Sequence, residues 1–137
     1  MHNTIVVALG GNAIKKAEKK ATVEKQVRNI RKTCERIIDM IKKGYTVVIT
    51  HGNGPQVGNL LLQQEAGSQI VSPQPLDILV AMTQGQIGYM IQHSLVNLLR
   101  RAELNIPIVT VLTQVLVDKN DPAFSDPSKP VGPFYTK

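Results

Sequence analysis

Two short glycine-rich segments are the parts of this sequence whose residue types suit binding chemistry. Residues 10–12 read Gly-Gly-Asn and follow an apolar run over residues 4–9. Residues 52–54 read Gly-Asn-Gly and follow a mainly β-branched run over residues 46–50. Glycine lets the backbone approach a ligand closely, and the free N–H groups at the start of a following helix attract anions. Each segment is therefore a candidate site for a phosphate or carboxylate group.

These segments differ from the standard nucleotide-binding motifs. The sequence contains no GxxxxGK[ST] pattern, which excludes a P-loop. In GNGPQVG, residues 52–58, the third glycine lies one residue too far along for GxGxxG, and Pro55 falls inside the pattern. From these residues alone, two interpretations stay open: an anion-binding α/β domain, or ordinary turns that contain glycine.

The elements that would position these segments alternate between strand and helix. The two runs that precede them predict strands covered on both faces. Apolar periodicity predicts helices over residues 22–43, 55–66 and 76–101, and the apolar run over residues 108–117 predicts a third strand. This order is typical of an α/β fold with a parallel sheet. Because ligands bind beyond the carboxyl ends of parallel strands, both glycine segments are expected at one edge of the sheet.

Individual residues refine the predicted helices. Gly44 is predicted to close the first helix as the residue after its C-cap. Gly85 and Gly88 lie inside the third helix and predict either a break or a close contact. The face of the first helix that is predicted to be buried carries residues at three- and four-residue steps: Val23, Val27, Ile30, Cys34, Ile37, Ile38 and Ile41.

Composition limits the class of protein. With 137 residues and 42% hydrophobic content, the chain has the size and apolar content of one globular domain. No apolar run approaches the roughly 18 residues that span a bilayer, and the first residues lack the basic start of a signal peptide. Cys34 is the one cysteine, which we interpret as core filling in a reducing, cytoplasmic protein. No membrane partner is expected.

Positive charge is concentrated in one region. Residues 15–43 hold eleven of the sixteen Lys and Arg residues against four acids, so this region has a net charge of +7. The remainder of the chain has a net charge of −1, which gives +6 in total. A basic block suits nucleic acid. However, the apolar stripe described above leaves these charges on the outer side of a helix, and aromatic residues make up only 4% of the chain. We therefore expect a solvated helix face and no nucleic-acid partner.

The final residues have a different character. Residues 118–137 contain four prolines and no periodicity, which predicts a loop or an extended excursion. We accordingly divide the chain into a binding part, residues 1–117, and the start of a protruding subdomain, residues 118–137. A structureless end of this length leads us to expect that the chain is part of a larger protein.

Five blocks of sequence resemble the N-terminal part of the carbamate kinases, within the amino-acid-kinase family. They occur in the family's order and cover nearly the whole chain: VVALGGNAI (6–14), THGNGPQVGNLLLQQ (50–64), PLDILVAMTQGQIGYM (75–90), TVLTQVLVD (110–118) and DPAFSDPSKPVGPFY (121–135). The resemblance implies an α/β fold, a three-layer α-β-α sandwich around an open, mainly parallel sheet. This chain would be the N-terminal half of that amino-acid-kinase fold.

The same resemblance implies an activity. In that family, phosphoryl transfer between ATP and carbamate gives carbamoyl phosphate and ADP, and the reverse direction makes ATP. The implied cofactors are ATP/ADP and Mg²⁺, with the nucleotide site mainly in a C-terminal half that this sequence lacks. No metal ligand is assigned to this chain. A cytoplasmic homodimer that acts in arginine metabolism is also implied.

Roles for particular residues follow from the matched blocks. The residues that match positions around carbamate and the transferred phosphoryl group are Gly10, Gly11, Asn12, Gly52, Asn53 and Gly54. Lys129 matches a lysine that reaches the same groups, and it is predicted to be catalytic together with Gly11 and Asn12. For Asn12 and Asn53, side-chain donors are expected, and a left-handed turn residue is the alternative. Residues interpreted as structural are His51, Asp77, Thr83 and Gln84.

Three hypotheses about the chain remain. In the first, it is the carbamate-binding half of an active kinase and has no turnover alone. In the second, it is a non-catalytic module that dimerises through residues 76–101 and binds a small anion. In the third, which the charge distribution disfavours, it binds nucleic acid.

Overall fold

The computed structural model describes residues 3–10 and 22–129. Within these residues the order is strand, helix, strand, helix, helix and a short 3₁₀ helix: β1 (Thr4–Leu9), α1 (Val23–Lys42), β2 (Thr46–His51), α2 (Gly54–Gly67), α3 (Leu76–Arg101) and the 3₁₀ helix Pro122–Phe124. The predicted α/β class is confirmed, and the two strands and three helices lie where the sequence places them.

The first helix is bounded by recognisable caps. At its start, the Thr22 hydroxyl accepts a hydrogen bond from the Lys25 N–H at 3.4 Å. At its end, Gly44 has a φ of +86° and donates to the Ile41 carbonyl at 2.9 Å. The left-handed conformation is one that glycine adopts without steric cost, so the prediction that Gly44 closes the helix is confirmed.

The buried stripe of α1 differs from the prediction in the first turn. Ile30, Cys34, Ile37 and Ile38 are buried, as expected. Val23, however, is 53% exposed, whereas Gln26 is only 6% exposed. The first turn of α1 thus buries a polar residue, because its neighbour across the interface is also polar, as described below.

Strands β1 and β2 form a two-stranded parallel sheet within the described residues. Their register runs from the pair Thr4 and Thr46 to the pair Leu9 and His51. With α1 between them in sequence, they make a βαβ unit. Both strands therefore end at the same edge of the sheet.

One face of the sheet forms the core with α1 and α3. Leu9 is 4% exposed and joins buried residues of both helices, while Val7, Val47 and Ile49 pack around them. The opposite face carries Val6, which is 65% exposed. Within the described residues, helices of the core lie on one side of these strands, whereas the sequence predicts cover on both faces.

The predicted third strand is also absent from the described sheet. Residues 104–118 have no regular secondary structure, and Val109 and Val115 are 80% and 82% exposed. Side chains of α3 hold the backbone of this segment instead. Gln84 accepts from the Thr113 N–H at 2.8 Å and donates to the Thr113 carbonyl at 3.2 Å, while Gln92 donates to the Ile108 carbonyl at 3.1 Å.

The glycines of α3 do not break the helix. Residues 76–101 are continuously helical, and Gly88 is buried where Thr110 approaches it. A Cβ at Gly88 would overlap Thr110 Cγ2, whereas a Cβ at Gly85 would meet nothing within 4 Å. Of the two alternatives predicted for these glycines, a close contact is therefore correct, and it occurs at Gly88.

Candidate functional site

The register of the sheet brings the two glycine segments to one edge. Leu9 and His51 are the last paired residues of the parallel strands. Gly10 and Gly52, which follow them directly, therefore lie at the same edge of the sheet. Segments that follow parallel strands at one edge form the usual ligand-binding crevice of α/β folds. The arrangement expected from the sequence is present for the described part of both segments.

The second glycine segment leads directly into α2. Asn53 is the N-cap residue, and its carbonyl accepts from the N–H groups of Gln56 and Val57, each at 3.0 Å. Pro55, in the first turn, has no N–H to leave unpaired. The positive end of the α2 dipole therefore lies at residues 52–54, where it favours a negatively charged group.

The side chain of Asn53 is bonded to α3. Its Nδ2 donates to Thr83 Oγ1 at 2.8 Å and to the Val80 carbonyl at 3.4 Å. Asn53 has a φ of −135°, so the left-handed turn considered for it is wrong. The amide nitrogen, which was expected to donate to a ligand, instead attaches the glycine segment to α3.

A second polar contact joins α2 to α1. Gln56 Nε2 donates to Gln26 Oε1 at 3.0 Å, and both side chains are buried, with 6% exposure each. Gln26 lies in the first turn of α1 and Gln56 in the first turn of α2. This bond fixes the starts of the two helices relative to each other. Sequence reasoning missed it, although a glutamine in the apolar stripe of α1 was a usable signal.

The glycines at the sheet edge are not explained by packing. Gly10, Gly52 and Gly54 are exposed, and a Cβ at any of them would meet no described atom within 4 Å. None has a positive φ, which among the described glycines occurs at Gly44. Space above the backbone is what close approach of a ligand requires.

Two residues, one at the sheet edge and one in the core, are described by contacts or burial that suit a structural role. His51 Nδ1 lies 3.4 Å from the Gly52 carbonyl, a contact within the loop that agrees with a shaping role. Cys34 is fully buried, and burial raises the pKa of its thiol to about 12. A protonated, inaccessible thiol is a poor nucleophile, so the interpretation of Cys34 as core filling is confirmed.

Comparison with known proteins supplies the family. The profile of the Amino acid kinase family matches residues 3–121, which is most of the chain. The chain belongs to the amino acid kinase family. Its βαβ unit, with glycine segments at one edge, is therefore the start of that family's fold.

Individual relatives agree with this assignment. The chain is 58% identical over 134 residues to a carbamate kinase from Thermococcus kodakarensis, an alignment that covers 96% of this chain and 42% of the relative. It is 53% identical over 137 residues to a carbamate kinase from Pyrococcus furiosus, covering 98% of this chain and 44% of the relative. The chain thus spans less than half the length of these relatives.

Solved structures show the same similarity. Carbamate kinase from Giardia lamblia bound to AMP-PNP superimposes with a TM-score of 0.92 at 43% identity, covering 99% of this chain and 43% of that chain. The same protein bound to citric acid gives a TM-score of 0.91 at 43% identity, covering 98% of this chain and 43% of that chain. The described fold is therefore the one found in these kinases.

For three of the predicted site residues, the described part of the chain supplies no contact that tests their roles. Gly11 and Asn12 lie outside the described residues. Lys129 is the last described residue, is exposed, and makes no hydrogen bond or ion pair with another described residue. Its catalytic role stays a prediction.

The block of α3 that the sequence assigned a structural role behaves accordingly. Thr83 and Gln84 use their polar side chains within the protein, on Asn53 and Thr113 respectively. Asp77 lies in the first turn of α3, where its negative charge suits the positive end of the helix dipole.

Residues 3–10 and 22–129 contain no group of three or more His, Cys, Asp or Glu side chains that would hold a metal ion. No helix among them is long and apolar enough to cross a membrane. The basic side chains of α1 are on its exposed face, as the apolar stripe predicted.

Proposed function

We propose that this chain provides the carbamate and phosphoryl site of a carbamate kinase, which transfers a phosphoryl group between ATP and carbamate. The observation that carries the proposal is the pair of glycine segments at one sheet edge, in a chain 58% identical to a carbamate kinase over 134 residues. Carbamoyl phosphate and ADP are the products, and the reverse direction makes ATP.

The proposed reaction needs charge stabilisation more than proton transfer. A carbamate oxygen is already an anion, so it attacks the γ-phosphorus without a general base, and the bond to the ADP oxygen breaks. Charge spreads over the equatorial oxygens of the transferred group, and positioned donors stabilise it. Backbone N–H groups of Gly10, Gly52 and Gly54, together with the dipole of α2, suit this task.

Further residues complete the proposed site. Gly11 and Asn12 continue the first segment and would add donors to the same anion. Lys129 would add a positive charge from the excursion that begins at residue 118. In this proposal the binding part remains residues 1–117, and residues 118–137 begin a protruding subdomain.

The cofactors are proposed to bind mainly outside this chain. ATP or ADP would occupy the part of the relatives beyond the matched 42–44%. Use of a nucleotide is supported by the Giardia lamblia carbamate kinase, which was solved bound to AMP-PNP. Mg²⁺ is proposed as the cofactor that accompanies the nucleotide. The complete protein is proposed to be a cytoplasmic homodimer.

A second candidate function uses the same site without catalysis. Both glycine segments lie within this chain, although the chain matches less than half of each relative. Residues 1–137 would then bind a small anion and have no turnover. The two candidates make different predictions for a complete enzyme.

A chimera tests the proposal. This chain would replace the matching 42% of the Thermococcus kodakarensis carbamate kinase, and ATP formation from carbamoyl phosphate and ADP would be measured. The chimera is expected to turn over, and residues 1–137 alone are not. A folded chimera that binds ADP but forms no ATP would contradict the kinase proposal and favour the binding module.

A further inference from the structure

A fully buried hydroxyl on α3 holds the glycine segment at residues 52–54. Thr83 is 0% exposed, and its Oγ1 accepts the Asn53 Nδ2–H at 2.8 Å while donating to the Val80 carbonyl at 2.9 Å. Asn53 Nδ2 is also 3.4 Å from that carbonyl. Three polar groups therefore form a closed ring between the N-cap of α2 and the body of α3.

The N–H groups of the Asn53 side chain are both used within the ring. An amide nitrogen carries two hydrogens, and both acceptors within reach of this one belong to α3. The backbone N–H groups of the segment are not part of the ring. Asn53 is thus arranged to orient the segment, with the main chain left to contact an anion.

The chemistry of position 83 also argues for a specific role. A hydroxyl in a fully buried site is unfavourable unless it is hydrogen-bonded, and valine would fill nearly the same volume. Here the hydroxyl both accepts and donates, and one partner comes from the glycine segment 30 residues earlier. Packing alone does not require that contact.

We infer that Thr83 is a positioning residue, which holds Asn53 through its hydroxyl so that the backbone N–H groups of residues 52–54 are fixed for anion binding. The identity of the ligand rests on the proposed function. The hydrogen-bond ring and its effect on the mobility of the segment do not.

The test compares the full chain with Thr83→Val, which removes the hydroxyl, and Thr83→Ser, which keeps it. Backbone ¹⁵N order parameters of residues 52–54 would be measured first. We expect rigid values of about 0.85 in the wild type and the Ser variant, and values below about 0.6 in the Val variant. Inorganic phosphate, followed through the Gly52 and Gly54 amide shifts, is expected to bind the Val variant about threefold to tenfold more weakly.

Asn53→Ala breaks the same hydrogen-bond ring by removing the amide donor instead of the hydroxyl. It is expected to reproduce the mobility of Thr83→Val, and the double variant should be no more mobile than either single variant. This comparison also serves if Thr83→Val does not fold. Unchanged order parameters in Asn53→Ala, or a Ser variant as mobile as the Val variant, would overturn the inference.

Failure of the proposed function gives a different result. If phosphate shifts no amide signal of residues 52–54 in the wild type, the anion site is absent. That result would contradict the proposed function and the part of the inference that concerns anion binding. If phosphate binds equally well to a rigid wild type and a mobile Val variant, the proposed function survives and the positioning role of Thr83 is contradicted.

Discussion

Gln56 of α2 donates to Gln26 of α1 at 3.0 Å, and both side chains are almost completely buried. The bond connects the first turns of the helices that follow the two glycine segments. A buried polar pair of this kind contributes modestly while intact, but removal of one partner leaves the other without its hydrogen bond.

We therefore expect Gln26→Leu to lower the free energy of unfolding by about 1–3 kcal/mol, because Gln56 Nε2 loses its acceptor. Urea denaturation measures this change. The double variant Gln26→Leu, Gln56→Leu should recover part of the loss, since the orphaned donor is removed as well. A loss in the double variant that equals the sum of the losses in Gln26→Leu and Gln56→Leu would show that the pair is not coupled.

Gly88 and Gly85 form a matched pair on α3. Gly88→Ala should destabilise the protein by roughly 1–3 kcal/mol, because the new methyl group overlaps Thr110 and displaces the segment held by Gln84 and Gln92. Gly85→Ala should instead stabilise it by up to about 1 kcal/mol, since its Cβ has open space and alanine favours the helix. Thermal or urea unfolding of the two variants measures these changes. A Gly88→Ala variant that is more stable than the wild type would contradict the close contact between Gly88 and Thr110.

Burial of Cys34 predicts a pH dependence of stability. The thiol has its pKa raised from 9.0 to about 12 in the folded chain. Between these values the unfolded state loses the proton first, so the free energy of unfolding should fall as the pH rises through 9. The slope attributable to Cys34 should approach about 1.4 kcal/mol per pH unit and disappear in Cys34→Ala. Identical pH profiles for the two proteins would contradict the shift.

Lys129 is tested in the chimera with the Thermococcus kodakarensis enzyme. Lys129→Ala should lower kcat by about tenfold or more, because a positive charge near the transferred phosphoryl group is removed. Lys119→Ala, which removes another exposed lysine of the same region, is the control and should leave kcat unchanged. A rate for Lys129→Ala that equals the control would refute the catalytic role.

Local signals in the sequence were sufficient for the strands and helices. Thr22, Gly44 and the periodic apolar residues located α1, and the β-branched runs located both strands. The end of α3 was also predicted, although no glycine follows it. Glu103 takes a φ of +56°, and the Leu104 N–H donates to the Leu99 carbonyl, an arrangement in which glycine is the usual residue.

Errors arose where long-range partners decide the structure. Residues 108–117 have the composition of a strand, but no strand forms there, and side chains of α3 bond the backbone of Ile108 and Thr113. Likewise, the location of the Asn53 amide depends on Thr83, which lies 30 residues later in the chain. The common edge of the glycine segments was predictable because it follows from parallel strand order alone.

In the proposed site, both glycine segments bind one anion through main-chain donors. Titration of the ¹⁵N-labelled chain with inorganic phosphate, followed through the amide shifts of Gly10 and Gly52, tests whether they share it. We predict that both amides shift with the same dissociation constant, and that Gly54→Val weakens both together because a branched side chain blocks the backbone. Shifts at only one segment, or unequal dissociation constants, would contradict a shared site.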